Sequence, residues 1–316
     1  MLKGPMSVDN LGELTAINLQ QVDFADRSFA LTPDWFPVAS LVDAIRRVGL
    51  RCPPSLQMVA GDRYRIISGF RRLRAASSVG LDVVPGFVRS GDPVQLFVDA
   101  LVENASTRPL HLLEKATAVW KLTQLFSIPQ AKVISEFLPL LGTKPNRFEM
   151  NRLLELAMLP LRIQQALVLL GLTPETAVGL GRWPNEEQTA FLDAFSRLQP
   201  GFNHQKELFL LLDEVRVRDG RSAVELLSNA TGLDDLLGEL RSRRFPRVAE
   251  YEQRYRQLKA GLRLPRDIQF NIPPFFEGDK IQIGFAFRNP GELKAVAAKL
   301  GEVAEKPELA EIFGLL

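Results

Sequence analysis

The spacing of hydrophobic positions changes character along the chain. Leu14–Leu19 reads as a strand, and Leu41, Val42, Ile45 and Val48 recur at three- and four-residue spacing, which predicts a helix over Val38–Val48. Gly49 stops that helix. Leu56–Val59 and Tyr64–Ile67 flank Ala60-Gly61-Asp62, a hairpin signal. Phe70–Ser78 follows as a short helix and Val83–Val88 as another apolar strand. From about 93 to 240 the period is almost wholly helical. Leu112, Leu113, Ala116, Val119, Trp120 and Phe126 fall largely on one face of Leu112–Phe126. Further helices are predicted at 129–140, 145–157, 161–170, 173–180, 185–198, 204–217 and 231–241, with Pro and Gly between many of them. The tail returns to mixed structure, with a helix near 248–261, strands at 267–272 and 280–287, and a helix at 290–302. No tandem repeat or low-complexity tract interrupts this order.

With 316 residues, two or more domains are expected. Apolar residues at 46% and charged residues at 24% fit a packed protein rather than a disordered or fibrous one. No apolar run approaches the roughly 18 residues that span a bilayer. The opening MLKGPMSVDN lacks the layout of a secretory signal, so a cytoplasmic protein with no membrane partner is expected. Cys52 has no internal disulfide partner, and with His111 and His204 alone it cannot complete a Cys/His zinc site. An apolar or half-buried Cys52 is expected.

The net charge of +2 says little about partners, but its distribution says more. Arg241, Arg243, Arg244, Arg247, Arg254, Arg256, Lys259, Arg263 and Arg266 face only Glu250, Glu252 and Asp267 over that stretch. Such a cluster either meets phosphates or forms a solvated helix face with Glu–Arg pairs.

The sharpest segment is Tyr64-Arg65-Ile66-Ile67-Ser68-Gly69-Phe70-Arg71-Arg72-Leu73-Arg74-Ala75-Ala76. A strand runs into Ser-Gly and a helix begins at once, offering unpaired N–H groups and the positive end of the helix dipole to an anion. Arg71, Arg72 and Arg74 bring guanidinium forks suited to phosphate oxygens, while Phe70, Leu73 and Ala76 can face a core. A basic surface helix without a ligand is the plainer alternative. Glu103-Asn104 supplies hard oxygens suited to Mg²⁺, or simply caps a helix.

Downstream, 128–137 leads through Leu138-Pro139-Leu140-Leu141-Gly142 into 143–152, with Thr143 near the cap of a second helix. This is a helix–turn–helix plan, in which Lys144, Asn146, Arg147, Asn151 and Arg152 would reach bases and phosphates. A bundle piece without DNA contact is the alternative. In the tail, 268–272 and 280–287 alternate apolar and polar residues, fitting a sheet with one buried face. Two strands are marginal alone, so pairing across a two-fold axis or packing on the preceding helices would bury them.

Together these segments resemble the ParB family of chromosome- and plasmid-partition proteins. Ile45-Arg46-Arg47-Val48-Gly49-Leu50 followed by Pro53 and a hairpin is similar to its start, and Ser68–Ala76 resembles its Gly-Glu-Arg-Arg-x-Arg-Ala box. Glu103-Asn104 resembles its Glu-Asn box, and Leu110–Ala116 its Leu-x-x-x-Glu-x-Ala run. The resemblance is specific over 11–120, looser over 128–195, and returns in the strand–strand–helix tail. It implies an α+β multidomain protein: a ParB/sulfiredoxin-like α/β domain over 1–108, an all-helical middle domain with the helix–turn–helix over 109–242, and a small ββα dimerisation domain over 243–316.

The resemblance also implies a homodimeric clamp on double-stranded DNA, closed by CTP with Mg²⁺, nucleoid-associated and served by a ParA-type ATPase. Ser68, Gly69, Arg71, Arg72, Arg74, Glu103 and Asn104 would then hold the nucleotide, with Glu103 and Asn104 supporting the metal. The chain departs from the family's pattern at three places. The box's Glu is Phe70, the x-Gln-Arg after Glu-Asn is Ala105-Ser106-Thr107 with arginine at Arg108, and the Gln-Pro-Arg box is Ala25-Asp26-Arg27. Ala25 cannot orient a water, so hydrolysis is expected to be slow or absent, and no catalytic residue is assigned. Sulfiredoxins place a catalytic cysteine at the arginine-box turn, where this chain has Phe70-Arg71. Two other functions stay open: a nucleotide-gated adaptor that reads no DNA, and a ParB-like nuclease or NTP hydrolase.

Overall fold

A computed structural model describes residues 12–228, 230–265, 267–273 and 276–316. The opening residues 1–11 and Arg266 of the basic cluster lie outside the described residues. The chain divides into two compact units, Met1–Leu169 and Leu170–Leu316.

The first unit is built on a five-stranded sheet, β1 (Glu13–Asn18), β2 (Val22–Asp23), β3 (Ser55–Val59), β4 (Arg63–Ser68) and β5 (Val83–Val88). Its order is β1-β5-β3-β4-β2. β1 runs antiparallel to β5 with Ile17 opposite Val84, β3 antiparallel to β4, and β2 parallel to β4. Gly61 and Asp62 take positive φ of 77° and 53° at the β3–β4 turn, the geometry that a tight hairpin demands. Gly86 in β5 is squeezed: a Cβ there would lie 2.8 Å from both Ile17 and Leu56.

Helices α1 (Ala39–Val48) and α2 (Phe70–Val79) pack on each other. The apolar stripe of α1 is only partly used, since Ile45 is buried while Val48 is 55% exposed. In α2, Phe70, Leu73, Ala75 and Ala76 are buried. The Asp92 side chain caps α3 (Pro93–Thr107), which buries Leu96, Phe97, Val98, Ala100 and Leu101. α4 (Leu112–Trp120) continues into a wider π-helical turn, Lys121–Leu125, closed by the Phe126 N–H on the Lys121 carbonyl at 2.9 Å. Trp120, placed on the apolar face by its spacing, is 37% exposed instead.

The predicted helix at 129–140 is present as α5 (Gln130–Lys132), a π-helical turn (Val133–Phe137) and α6 (Leu138–Leu140). It ends in a Schellman motif: Thr143 N–H bonds the Leu138 carbonyl, Gly142 N–H bonds the Pro139 carbonyl, and Gly142 has φ 66°. α7 (Arg147–Ala157), which packs on α4, and α8 (Leu161–Leu169) follow. The sequence places Thr143 near the cap of α7, but its hydroxyl also donates to Leu138 O and closes the preceding helix. Asn146 caps α7 instead, accepting from Glu149 N–H at 2.8 Å.

The second unit runs through α9 (Pro174–Leu180), α10 (Asn185–Leu198), α11 (Phe202–Asp219), α12 (Ala223–Ser228), α13 (Leu233–Arg244) and α14 (Pro246–Leu262). The short antiparallel pair β6 (Gln269–Asn271) and β7 (Gln282–Gly284) comes next, then α15 (Pro290–Ala304) and α16 (Pro307–Phe313). Trp183, Phe191, Phe195 and Phe209 interlock in its helical part. Leu258, Leu262, Phe270, Val303 and Ile312 form a separate small core around the strands. Pairing is therefore shorter than the alternation over 280–287 predicts, and Ile283, Phe285 and Phe287 are 40%, 36% and 51% exposed.

Candidate functional site

The Ser-Gly step where β4 ends and α2 begins opens into a pocket of about 480 Å³. Ser68, Gly69, Phe70, Arg71 and Arg72 line one side; Glu103, Asn104, Thr107 and Arg108 of the α3 end line another. Phe29, Leu31, Thr32, Leu41 and Ile67 provide an apolar wall. Gly69 is the N-cap of α2 with φ 95° and carries no side chain to satisfy the first N–H groups. Its Cα faces Pro54, so the chain enters the helix under a close backbone approach.

Arg71 donates from Nη2 to the Pro37 carbonyl at 2.9 Å, yet its buried Nε has no hydrogen-bond partner. A buried orphan donor costs free energy, so this guanidinium is incompletely satisfied beside the pocket. Arg72 donates to the Cys52 and Pro53 carbonyls at 2.8 and 3.2 Å and approaches Glu103 at 4.0 Å. Ser68 is buried and donates to Glu103 Oε2 at 3.2 Å. The Asn104 amide donates to Ala100 O at 2.7 Å, which commits its nitrogen to its own helix.

Six of the seven residues expected at the nucleotide thus meet at one pocket. Arg74 does not line it; half-buried on α2, it faces Arg27, whose ionised form burial and Arg74 disfavour and Asp34 supports. Cys52, expected to be apolar or half-buried, is exposed and lines the pocket.

The three departures from the expected pattern are physically connected. Phe70 is buried, and the Arg27 guanidinium lies 4.6 Å from its ring centroid, a cation–π contact in place of a carboxylate. Arg27 also donates to Thr32 O at 2.8 Å and pairs with Asp34 at 2.8 Å. Arg108 lines the pocket, but its two terminal nitrogens are held by Glu114 at 2.7 Å each. Burial alone would raise the Glu114 carboxyl; Arg108, the Thr32 hydroxyl and the His111 N–H together hold it below its ordinary value. Glu114, 1% exposed, and Lys121, 7% exposed, are buried charges on α4 and the wide turn that follows it. Burial, helped by Arg27 and opposed by Asp26, pushes Lys121 down to about 7.

Lys144 and Asn146 before α7 and Arg147 and Asn151 on it are exposed, while Arg152 is half-buried and pairs with Glu149 at 3.3 Å. Phe148, which sequence reasoning passed over, stands 73% exposed between Arg147 and Asn151. In the second unit four members of the basic cluster are held in ion pairs: Arg241 with Glu207 at 2.6 Å, Arg243 with Glu239 at 2.9 Å, Arg244 with Glu214, and Arg254 with Glu311. Among the described residues, no helix is long and apolar enough to cross a membrane. Nor do three His, Cys, Asp or Glu side chains gather there as a metal site.

Residues 6–105 match the family described as the ParB N-terminal domain. Over that stretch the chain is similar to a ParB N-terminal domain. The chain is 32% identical over 156 residues to a probable chromosome-partitioning protein ParB of Xylella fastidiosa, covering 46% of this chain and 48% of that one. It is 30% identical over 181 residues to a nucleoid occlusion protein of Bacillus mycoides, covering 57% and 60%. The chain thus spans between about half and three fifths of these two relatives, and 32% of a Pseudomonas putida ParB to which it is 37% identical. Two solved C-terminally truncated ParB structures from Caulobacter crescentus also match. One, complexed with CTP-gamma-S, is 23% identical with TM-score 0.28 and covers 58% of this chain and 98% of that one. The other, complexed to the centromeric parS site, is 21% identical with TM-score 0.35 and covers 61% and 97%.

Proposed function

We propose that this protein is a CTP-gated, dimeric DNA-binding clamp of partition type, with the Ser68–Arg72 pocket as its nucleotide site. The observation that carries the reading is an uncapped, glycine-led helix start, flanked by Arg71 with an orphaned Nε and by Arg72, inside the domain that matches the family. The open N–H groups of α2 and the two guanidiniums bind the triphosphate, and the apolar wall of Phe29, Leu31 and Leu41 takes the less polar part of the ligand.

Mg²⁺ fits the donor set: Glu103 is a half-exposed carboxylate at the pocket, and the Asn104 amide nitrogen is already committed, which leaves its oxygen free to accept. One carboxylate suits a cation that keeps several waters and takes its other ligands from phosphates. The ion would supply charge neutralisation at the phosphates; Glu103 and Asn104 would hold it. Hydrolysis is slow or absent, since Ala25 offers no side chain to align a water beside Arg27.

Lys144, Asn146, Arg147 and Asn151 present the helix–turn–helix face to DNA, and the tail supplies the dimer contact, with domains at 1–108, 109–242 and 243–316. A ParA-type ATPase is the motor partner that the family implies. The test is site selection from a random DNA pool with and without Mg²⁺-CTP, followed by footprinting. A palindromic footprint whose release slows with CTP on closed circular DNA is expected. DNA retention that ignores both sequence and nucleotide would refute the clamp and leave the adaptor reading.

A further inference from the structure

Two buried charges on one helix hold one wall of the pocket. Glu114 and Lys121 are seven residues apart and therefore share a face of α4 and its wide turn. The Thr32 hydroxyl donates to Glu114, and Lys121 Nζ donates to the Arg27 carbonyl and, at 2.5 Å, to the Ala30 carbonyl. The segment 27–32 is thereby tied at both ends. It carries Phe29, Leu31 and Thr32, which line the pocket, and Arg27, which covers Phe70 at the start of α2. Phe29 is also stacked on Phe126, just past the wide turn, with centroids 6.1 Å apart. Glu114 reaches the opposite wall as well, through its two bonds to Arg108.

A helix could bury apolar side chains at both positions more cheaply, because desolvating a charge is costly unless partners repay it. Apart from the capping bond that Glu114 accepts from the His111 N–H, both charges instead spend their hydrogen-bonding capacity on pocket-lining residues or on the backbone that carries them. We propose that Glu114 and Lys121 are positioning residues for the nucleotide, setting the 27–32 wall and the Arg108 guanidinium in the geometry that binds it. Neither side chain lines the pocket, so they act through Thr32, Arg27, Ala30 and Arg108. This inference rests on the nucleotide reading above.

The experiment combines calorimetric titration with Mg²⁺-CTP and amide hydrogen exchange on the full chain, for wild type, Lys121→Met, Glu114→Gln and a control, Leu122→Ala. Leu122 is fully buried on the same turn and carries no polar group that could bond the wall, so its truncation reports general destabilisation. In Lys121→Met, exchange at 27–32 should rise at least tenfold and affinity for Mg²⁺-CTP should fall at least tenfold. Glu114→Gln should also loosen Arg108 and the Leu112–Leu113 amides. Leu122→Ala should lower the melting temperature while leaving affinity within twofold. If wild type binds and Lys121→Met matches it in affinity and exchange, or if Leu122→Ala reproduces the Lys121→Met pattern, the positioning roles are wrong. Absence of nucleotide binding in wild type would instead overturn the underlying reading, and the positioning proposal with it.

Discussion

Gly69 sets the geometry of the pocket, and Gly69→Ala tests that geometry without removing a charge, although its Cβ would also stand 3.2 Å from Arg72 Nη2. Two costs add at this position. Its φ of 95° lies where an L side chain is strained by about 1–2 kcal/mol. A Cβ would also stand 2.8 Å from Pro54 Cβ and 3.1 Å from Pro54 Cα, where relief requires the loop before β3 to move, at about 1–3 kcal/mol. The sum is about 2–5 kcal/mol. Gly80, at the other end of the same helix, isolates the first cost, because its φ is 86° but a Cβ there meets nothing within 4 Å. Gly80→Ala should therefore cost only about 1–2 kcal/mol. For a unit of this size each kcal/mol lowers the melting temperature by roughly 2–4 °C, so calorimetric scans separate the two variants. Gly69→Ala should also weaken Mg²⁺-CTP binding, whereas Gly80→Ala should not. Equal losses of stability, or unchanged binding in Gly69→Ala, would refute the close approach of Pro54 as the feature that shapes the site.

Three further outcomes follow from the same structure. Lys121 stands at about 7 when folded against an ordinary 10.5, so between those values the unfolded chain binds a proton that the folded chain does not. Stability should rise from pH 7 to 9 by about 2 kcal/mol in urea unfolding, and a Lys121→Met slope equal to wild type would contradict this burial. The His111 side chain accepts from Leu113 N–H as the N-cap of α4, and burial lowers its pKa below 6.5 despite Glu114. Acidification through 6.5 should weaken the fold, and His111→Asn, which caps without titrating, should remove that dependence; persistence would point elsewhere. Arg147→Ala should weaken DNA binding across sequences and reduce the log–log salt slope by about 1, and an unaltered slope would take Arg147 off the phosphates.

Where local physics decided the structure, the sequence was readable. Val83–Val88 and the hairpin at Gly61-Asp62 form as period and turn chemistry require, and the glycine-led helix start at Phe70 exposes the lining that its residue types imply. Tertiary partners decided the rest. Glu114 and Lys121 are charged residues whose burial is made tolerable by the distant segment 27–32 and, for Glu114, by Arg108 and the His111 N–H as well. Arg108 looks free in sequence but is paired six residues on. Asn146 rather than Thr143 caps α7, because Thr143 completes a Schellman motif that Gly142 alone does not announce. α12 and α16 are too short for periodicity to reveal, and the alternation at 280–287 outruns the three residues that find a partner strand. Cys52 lies beside prolines, a context that says nothing of its exposure.

The account stands most directly on titration calorimetry of the purified chain with CTP, ATP, GTP and UTP in Mg²⁺, for wild type and Arg71→Ala. The nucleotide reading predicts that CTP binds selectively, and loss of charge-assisted bonds worth about 1.5–3 kcal/mol should make Arg71→Ala bind it roughly 10- to 100-fold more weakly. Heat of binding from no nucleotide, or CTP affinity that survives the substitution, would contradict the pocket assigned to Gly69–Arg72.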